Sequence, residues 1–141
     1  ESGKKDKDYQ KKLYNLKKKI YLNYISNENI PTNKEVFKIY KKLLEDKKKV
    51  GIVSNTLKEN IDILIEKFLI QPDIVMAGSN FPGRIKPMPD MYQSAYNFFG
   101  GSLSNYLVFE DSEIGIQAAL SAGMDVIDIK NWKIIKADNE S

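Results

Sequence analysis

Two adjacent carboxylates, Glu110 and Asp111, close the short apolar run Leu107-Val108-Phe109. A small polar residue, Ser112, and a helix-like stretch follow at once. Packing gives no reason for two acids at the end of an apolar strand. In an open α/β sheet that end is where ligands bind. A pair of carboxylates there suits a hard, oxygen-liganded cation such as magnesium. The rival reading is that the acids merely open a helix, whose N-terminal dipole favours negative charge. Ser54 stands at a similar junction, where Val50-Gly51-Ile52-Val53 gives way to a helical pattern. Its hydroxyl and the Asn55 backbone N–H can hold phosphate oxygens, as helix N-termini do. The rival reading there is local capping by Ser54 or Thr56.

Composition narrows the chemistry further. The chain has no cysteine and no histidine. Disulfides, zinc–thiolate sites and thiol nucleophiles are therefore excluded, and so is the commonest general base. Acid–base work must fall to carboxylates, lysine or tyrosine. Of the 22 basic residues 21 are lysine, and the net charge is only +3. The densest lysine run, Lys4 to Lys19, is diluted by Asp6 and Asp8. Nucleic-acid surfaces favour arginine for bidentate contacts, so this run reads as a solvated helix face and no nucleic-acid partner is expected. No apolar run approaches the ~20 residues of a membrane span; no membrane partner is expected, and the expected location is cytoplasmic. The chain opens on Glu1 rather than methionine, from which we expect a preceding segment.

The elements that must position these residues follow from periodicity. Residues 8–26 place Leu13, Leu16, Ile20 and Tyr24 at helical spacing. Thr32 to Glu35 reads as a capping box opening a helix with Val36, Ile39, Tyr40, Leu43 and Leu44 on one face. Val50 to Val53 reads as a buried strand. Thr56 to Glu59 reads as a second capping box, and its helix carries Ile61, Leu64, Ile65 and Phe68. Asp73 to Ala77 reads as a strand. A helix from Pro89 carries Tyr92, Ala95, Tyr96 and Phe99, read as core, and Gly100-Gly101 ends it. Tyr106 to Phe109 is expected as a strand, Glu113 to Ala122 as a helix and Val126 to Ile129 as a strand. Alternating helices and apolar strands imply a parallel sheet covered on both faces, and 141 residues suit one domain.

Three of these segments resemble motifs of the haloacid dehalogenase-like (HAD) phosphohydrolases. Phe109-Glu110-Asp111-Ser112, with Gly115, Ala118-Ala119 and Ala122-Gly123-Met124, resembles the fourth motif. Val50 to Thr56 resembles the second and Lys86-Pro87-Met88-Pro89-Asp90 the third. They stand in family order and resemble most the branch of β-phosphoglucomutase and small sugar-phosphate phosphatases. The first motif, a strand followed by Asp-x-Asp-Gly, is not present; Asp6 and Asp8 follow lysines and precede no glycine.

The resemblance implies an α/β fold, a Rossmannoid parallel sheet with helices on both faces, preceded by the last helix of a helical cap. Residues 1–30 would be the remnant of the cap and 31–141 the core without its first strand. That strand would lie between those ending at Ser54 and Asp111. The implied activity is magnesium-dependent hydrolysis of a small phosphorylated metabolite through an aspartyl-phosphate, the nucleophile lying outside this chain. A mutase of the β-phosphoglucomutase type and a non-catalytic interaction protein are the alternatives. The resemblance assigns Asp111 as direct metal ligand and Glu110 as its water-mediated partner. It assigns Lys86 as phosphate clamp and Ser54 and Asn55 as phosphate binders. Ser112 reads as a helix cap, Asp90 as structural, and Arg84 as a surface or structural residue, with a reach to substrate as the alternative. The implied partner is a missing N-terminal segment of the same protein.

Overall fold

The structure is a computed structural model that describes residues 6–13, 15, 16, 19 and 34–138. Of the helix expected over 8–26, residues 8–13, 15, 16 and 19 are helical; the remainder lies outside the described residues. So does the Thr32–Asn33 start of the first capping box.

Among the described residues five strands form two sheets. β1 (Gly51–Ser54) pairs in parallel with β2 (Ile74–Ala77), in the register Gly51 with Ile74 to Ser54 with Ala77. β3 (Leu107–Glu110) pairs in parallel with β4 (Asp125–Asp128), Leu107 opposite Asp125 and Glu110 opposite Asp128. β5 (Lys133–Ile135) adds to β4 in antiparallel fashion. Among the described residues no strand pairs with the second edge of β1 or of β3. The observed strands start and end within a residue of the sequence expectation, except β5, which a three-residue segment beside Trp132 did not announce.

Helices cover the sheets as their apolar spacing requires. The helix Asp90–Phe99 packs on β1, on β2 and on the helix Glu113–Ser121, and so joins the two sheets. The core gathers Tyr92, Ala118, Ala119, Met124 and Val126, with Val53 of β1 packed against it. The small Ala118-Ala119 pair lets the helix approach β4 closely. The helix Lys34–Glu45 buries none of its residues fully. It docks through the Phe37 and Phe68 rings, 5.3 Å between centroids, and through Tyr40, whose hydroxyl accepts from the Gln71 N–H at 2.7 Å.

Two local readings need correction. The helix Lys58–Phe68 is capped at Leu57 without a side-chain bond, so Thr56 to Glu59 forms no capping box. Instead the Ser79 hydroxyl accepts the Lys58 N–H at 3.0 Å, and Thr56 accepts from the Asn60 side chain. A remote hydroxyl thus satisfies the helix start that a local one was expected to satisfy. The same helix buries Ile63 beside Ile61.

Candidate active site

The carboxyl ends of β1 and β3 open onto one pocket of about 400 Å³. Val53, Ser54, Asn55, Lys86, Phe109, Glu110, Asp111, Ser112, Ile114 and Ile129 line it. Ser54, Asn55, Lys86, Glu110 and Asp111 are therefore brought together from three separate stretches of chain.

Lys86 comes from the loop between β2 and the helix Asp90–Phe99, and its peptide with Pro87 is cis. It is only 8% exposed. Its ammonium donates to the Val53 carbonyl at 2.8 Å and to Oε1 of Glu110. A buried ammonium survives only when it is paired and hydrogen-bonded, and both conditions are met. The chain leading to it is held by Asn55. The Asn55 Oδ1 accepts the Lys86 N–H at 2.9 Å, and its Nδ2 donates to the Lys86 carbonyl at 3.2 Å.

Glu110 and Asp111 differ sharply in surroundings. Glu110 is 6% exposed and points inward. Its Oε1 also accepts from the Tyr92 hydroxyl, and its carbonyl accepts the Ile129 N–H at 2.9 Å. Asp111 is exposed on the pocket wall and has no hydrogen-bond or ion-pair partner among the described residues. Burial, followed by the charge of Glu110, pushes the Tyr92 phenol well above its ordinary value. The phenol therefore stays protonated and remains a donor to the carboxylate. Lys86 also stands 5.3 Å from the Tyr92 ring centroid, a cation–π distance.

Ser54 accepts the Thr56 N–H at 3.3 Å, the local bond of the rival reading, while its residue still lines the pocket. Ser112 caps the helix Glu113–Ser121 by accepting the Gly115 N–H at 3.1 Å. Arg84 faces solvent, with its guanidinium 3.7 Å from Asp90 and 5.8 Å from the Phe81 ring centroid.

Sequence reasoning placed Tyr92 in the core and left its hydroxyl without a task. Gly115 is a packing glycine against the site: the Glu110 carboxylate occupies the space its Cβ would fill. A phenol six residues after Lys86, on the inner face of the next helix, was the available signal for Tyr92.

Known proteins carry the same arrangement of sequence. Residues 1–129 match the family described as haloacid dehalogenase-like hydrolase. The chain belongs to that family. An uncharacterised protein of Haemophilus influenzae is similar to this HAD-family chain, 31% identical over 114 residues that cover 79% of the chain and 57% of the relative. Fructose-1-phosphate phosphatase YqaB of Escherichia coli is 42% identical over 45 residues, 32% of this chain and 24% of that protein. The crystal structure of a family IA, variant 3 HAD hydrolase from Entamoeba histolytica superposes with a TM-score of 0.64 at 26% identity. That match covers 86% of the HAD-family chain and 56% of the other. The chain spans about half the length of the curated relatives it matches.

Proposed function

We propose that this chain supplies the phosphate-holding and cation-holding half of a magnesium-dependent phosphatase acting on a small phosphorylated metabolite. The observation that carries the reading is the meeting of Lys86, Ser54 and Asp111 on one pocket at the carboxyl ends of β1 and β3. One relative, matched over a short stretch of 45 residues, bears the name fructose-1-phosphate phosphatase, which supports the substrate class.

The charges in the pocket argue for a cation. One ammonium faces two carboxylates there, a net negative site before any phosphate enters. Two unit charges at 4 Å interact by roughly 4 kcal/mol at an effective dielectric near 20. A phosphate dianion entering beside Asp111 therefore needs a counter-charge. Magnesium is held through one or two carboxylates, waters and substrate phosphate. Unpaired Asp111, with Glu110 beside it, fits that donor set. Among the described residues no group of three or more acids forms a fuller cage. When bound, magnesium would supply charge neutralisation to the transferring phosphoryl group.

The chain's own residues act by positioning. Lys86 would present its buried ammonium to a phosphate oxygen, in an environment where charge counts for more than in water. Ser54 would donate its hydroxyl to a second oxygen, with the Asn55 N–H beside it at the strand end. The attacking carboxylate would come from a strand of the same protein set between β1 and β3, whose facing edges no described strand pairs. That segment is the partner we propose.

The test is turnover of p-nitrophenyl phosphate by the complete protein. We expect hydrolysis with magnesium, none with EDTA, and a fall of about 100-fold or more in Lys86→Ala. Hydrolysis indifferent to EDTA and to Lys86 would overturn the proposal.

A further inference from the structure

We propose that Asn55 is a positioning residue: its side-chain amide sets the ammonium of Lys86 by gripping the Lys86 main chain. The two bonds are reciprocal. Oδ1 takes the Lys86 N–H at 2.9 Å, and Nδ2 gives to the Lys86 carbonyl at 3.2 Å. One acceptor and one donor on a flat amide match the N–H and C=O of a single residue, Lys86, in the turn that the Met88 N–H closes on the Ile85 carbonyl at 2.9 Å. The amide thus imitates one rung of a β-ladder in a loop that has none. A backbone N–H only donates and a backbone carbonyl only accepts, so both bonds fix which end of the amide is oxygen.

Asn55 is itself held. Gly78 lies against its main chain so closely that a Cβ there would stand 1.9 Å from the Asn55 carbonyl oxygen. The Gly78 N–H also donates to the Thr56 carbonyl at 3.0 Å. The end of β1, the start of the 78–89 loop and Lys86 therefore form one fixed unit. The Lys86 side chain leaves that unit with its base anchored by Asn55 and its tip anchored by Val53 and Glu110. Losing the base anchor frees the loop, and the ammonium then samples positions away from Glu110 and the pocket.

Two readouts test this on the complete protein. The first is reductive methylation of lysines, mapped residue by residue by mass spectrometry. Asn55→Ala should raise the Lys86 methylation rate by about fivefold or more, as loss of a hydrogen bond in this range implies. Surface lysines such as Lys58, and amide exchange in the helix Glu113–Ser121, should not change. Asn55→Asp keeps the shape and one acceptor but loses the donor, and should raise the rate in the same direction if Asn55→Ala fails to fold. The second readout, resting on the phosphatase reading above, is a double-mutant cycle with Lys86→Met on p-nitrophenyl phosphate turnover. If Asn55 acts through Lys86, Asn55→Ala lowers kcat/KM about tenfold in the Lys86 background and leaves it within about twofold in the Lys86→Met background. Unchanged Lys86 methylation in both variants overturns the proposal. Additive losses in the cycle overturn it too, because Asn55 would then act on phosphate directly. Should the wild type show no turnover, the phosphatase reading fails and the methylation arm alone decides this one.

Discussion

Glu110 and Gly115 are packed so closely that a Cβ on the glycine would stand 2.1 Å from Oε2 of the glutamate. The bare helix turn is what admits the carboxylate to its buried place beside Lys86 and Tyr92. Gly115→Ala therefore has to evict the carboxylate from its partners. Each buried polar group left without a partner costs about 1–3 kcal/mol. We expect a loss of stability of that order in urea unfolding of the complete protein, together with loss of phosphatase turnover. An alanine variant as stable and active as wild type would show that Glu110 is not fixed by this contact.

Asp111→Asn separates function from folding. The side chain is exposed and has no ion-pair partner among the described residues. Its change should leave stability within about 0.5 kcal/mol, as is usual for surface positions. Magnesium-dependent turnover should fall about 100-fold or more, since a carboxylate ligand is lost while its size is kept. Thermal unfolding and turnover measured on the same sample decide the matter. Full activity with an unchanged magnesium response would reduce the Glu110–Asp111 pair to a helix start.

Much of this site was legible because its chemistry contradicts packing. Acids at a strand end, a lysine set directly before Pro87-Met88-Pro89 and a hydroxyl at a strand–helix junction stand out from an apolar pattern. What escaped was set by distance in the chain. Asn55 meets Lys86 across 31 residues, and Ser79 meets Lys58 across 21; no local window contains either bond. Tyr92 was hidden for another reason. Its ring belongs to the core and only its hydroxyl to the site, so its helical spacing spoke for the ring alone. The parallel strands were legible from their apolar runs, whereas β5 rests on three residues and its pairing with β4.

Asp125 gives the fold a pH dependence. Its carboxylate accepts the Ala137 N–H at 2.8 Å and faces Lys136 at 3.2 Å. The backbone bond first, and the lysine second, hold its pKa below the ordinary aspartate value. A folded-state pKa below the unfolded one adds stability above the unfolded value of about 3.9, and that stability is lost as pH falls through the folded value. Asp125→Asn should therefore be less stable than wild type at neutral pH, with the gap closing below about pH 4. Urea unfolding of both proteins across that range checks the sign. A gap that widened in acid would contradict the assignment.

The edges of β1 and β3 that no described strand pairs carry a prediction for the chain alone. Residues 1–141 expressed by themselves should show no phosphatase turnover and should self-associate or bind a hydrophobic dye. Open sheet edges template pairing with other chains. Several unsatisfied groups at 1–3 kcal/mol each rival a domain's net stability of about 5–15 kcal/mol. Analytical ultracentrifugation and dye binding test it. A monomer that unfolds cooperatively and binds no dye would show the edges to be harmless.

The most direct measurement is a crystal structure of the complete protein with magnesium and orthovanadate. The account predicts vanadate in the pocket at the carboxyl ends of β1 and β3, within hydrogen-bond reach of the Lys86 ammonium and the Ser54 hydroxyl. Magnesium should sit on Asp111, and a strand bearing an aspartate should lie between β1 and β3. Vanadate bound away from Lys86, or β1 and β3 paired directly with each other, would contradict it.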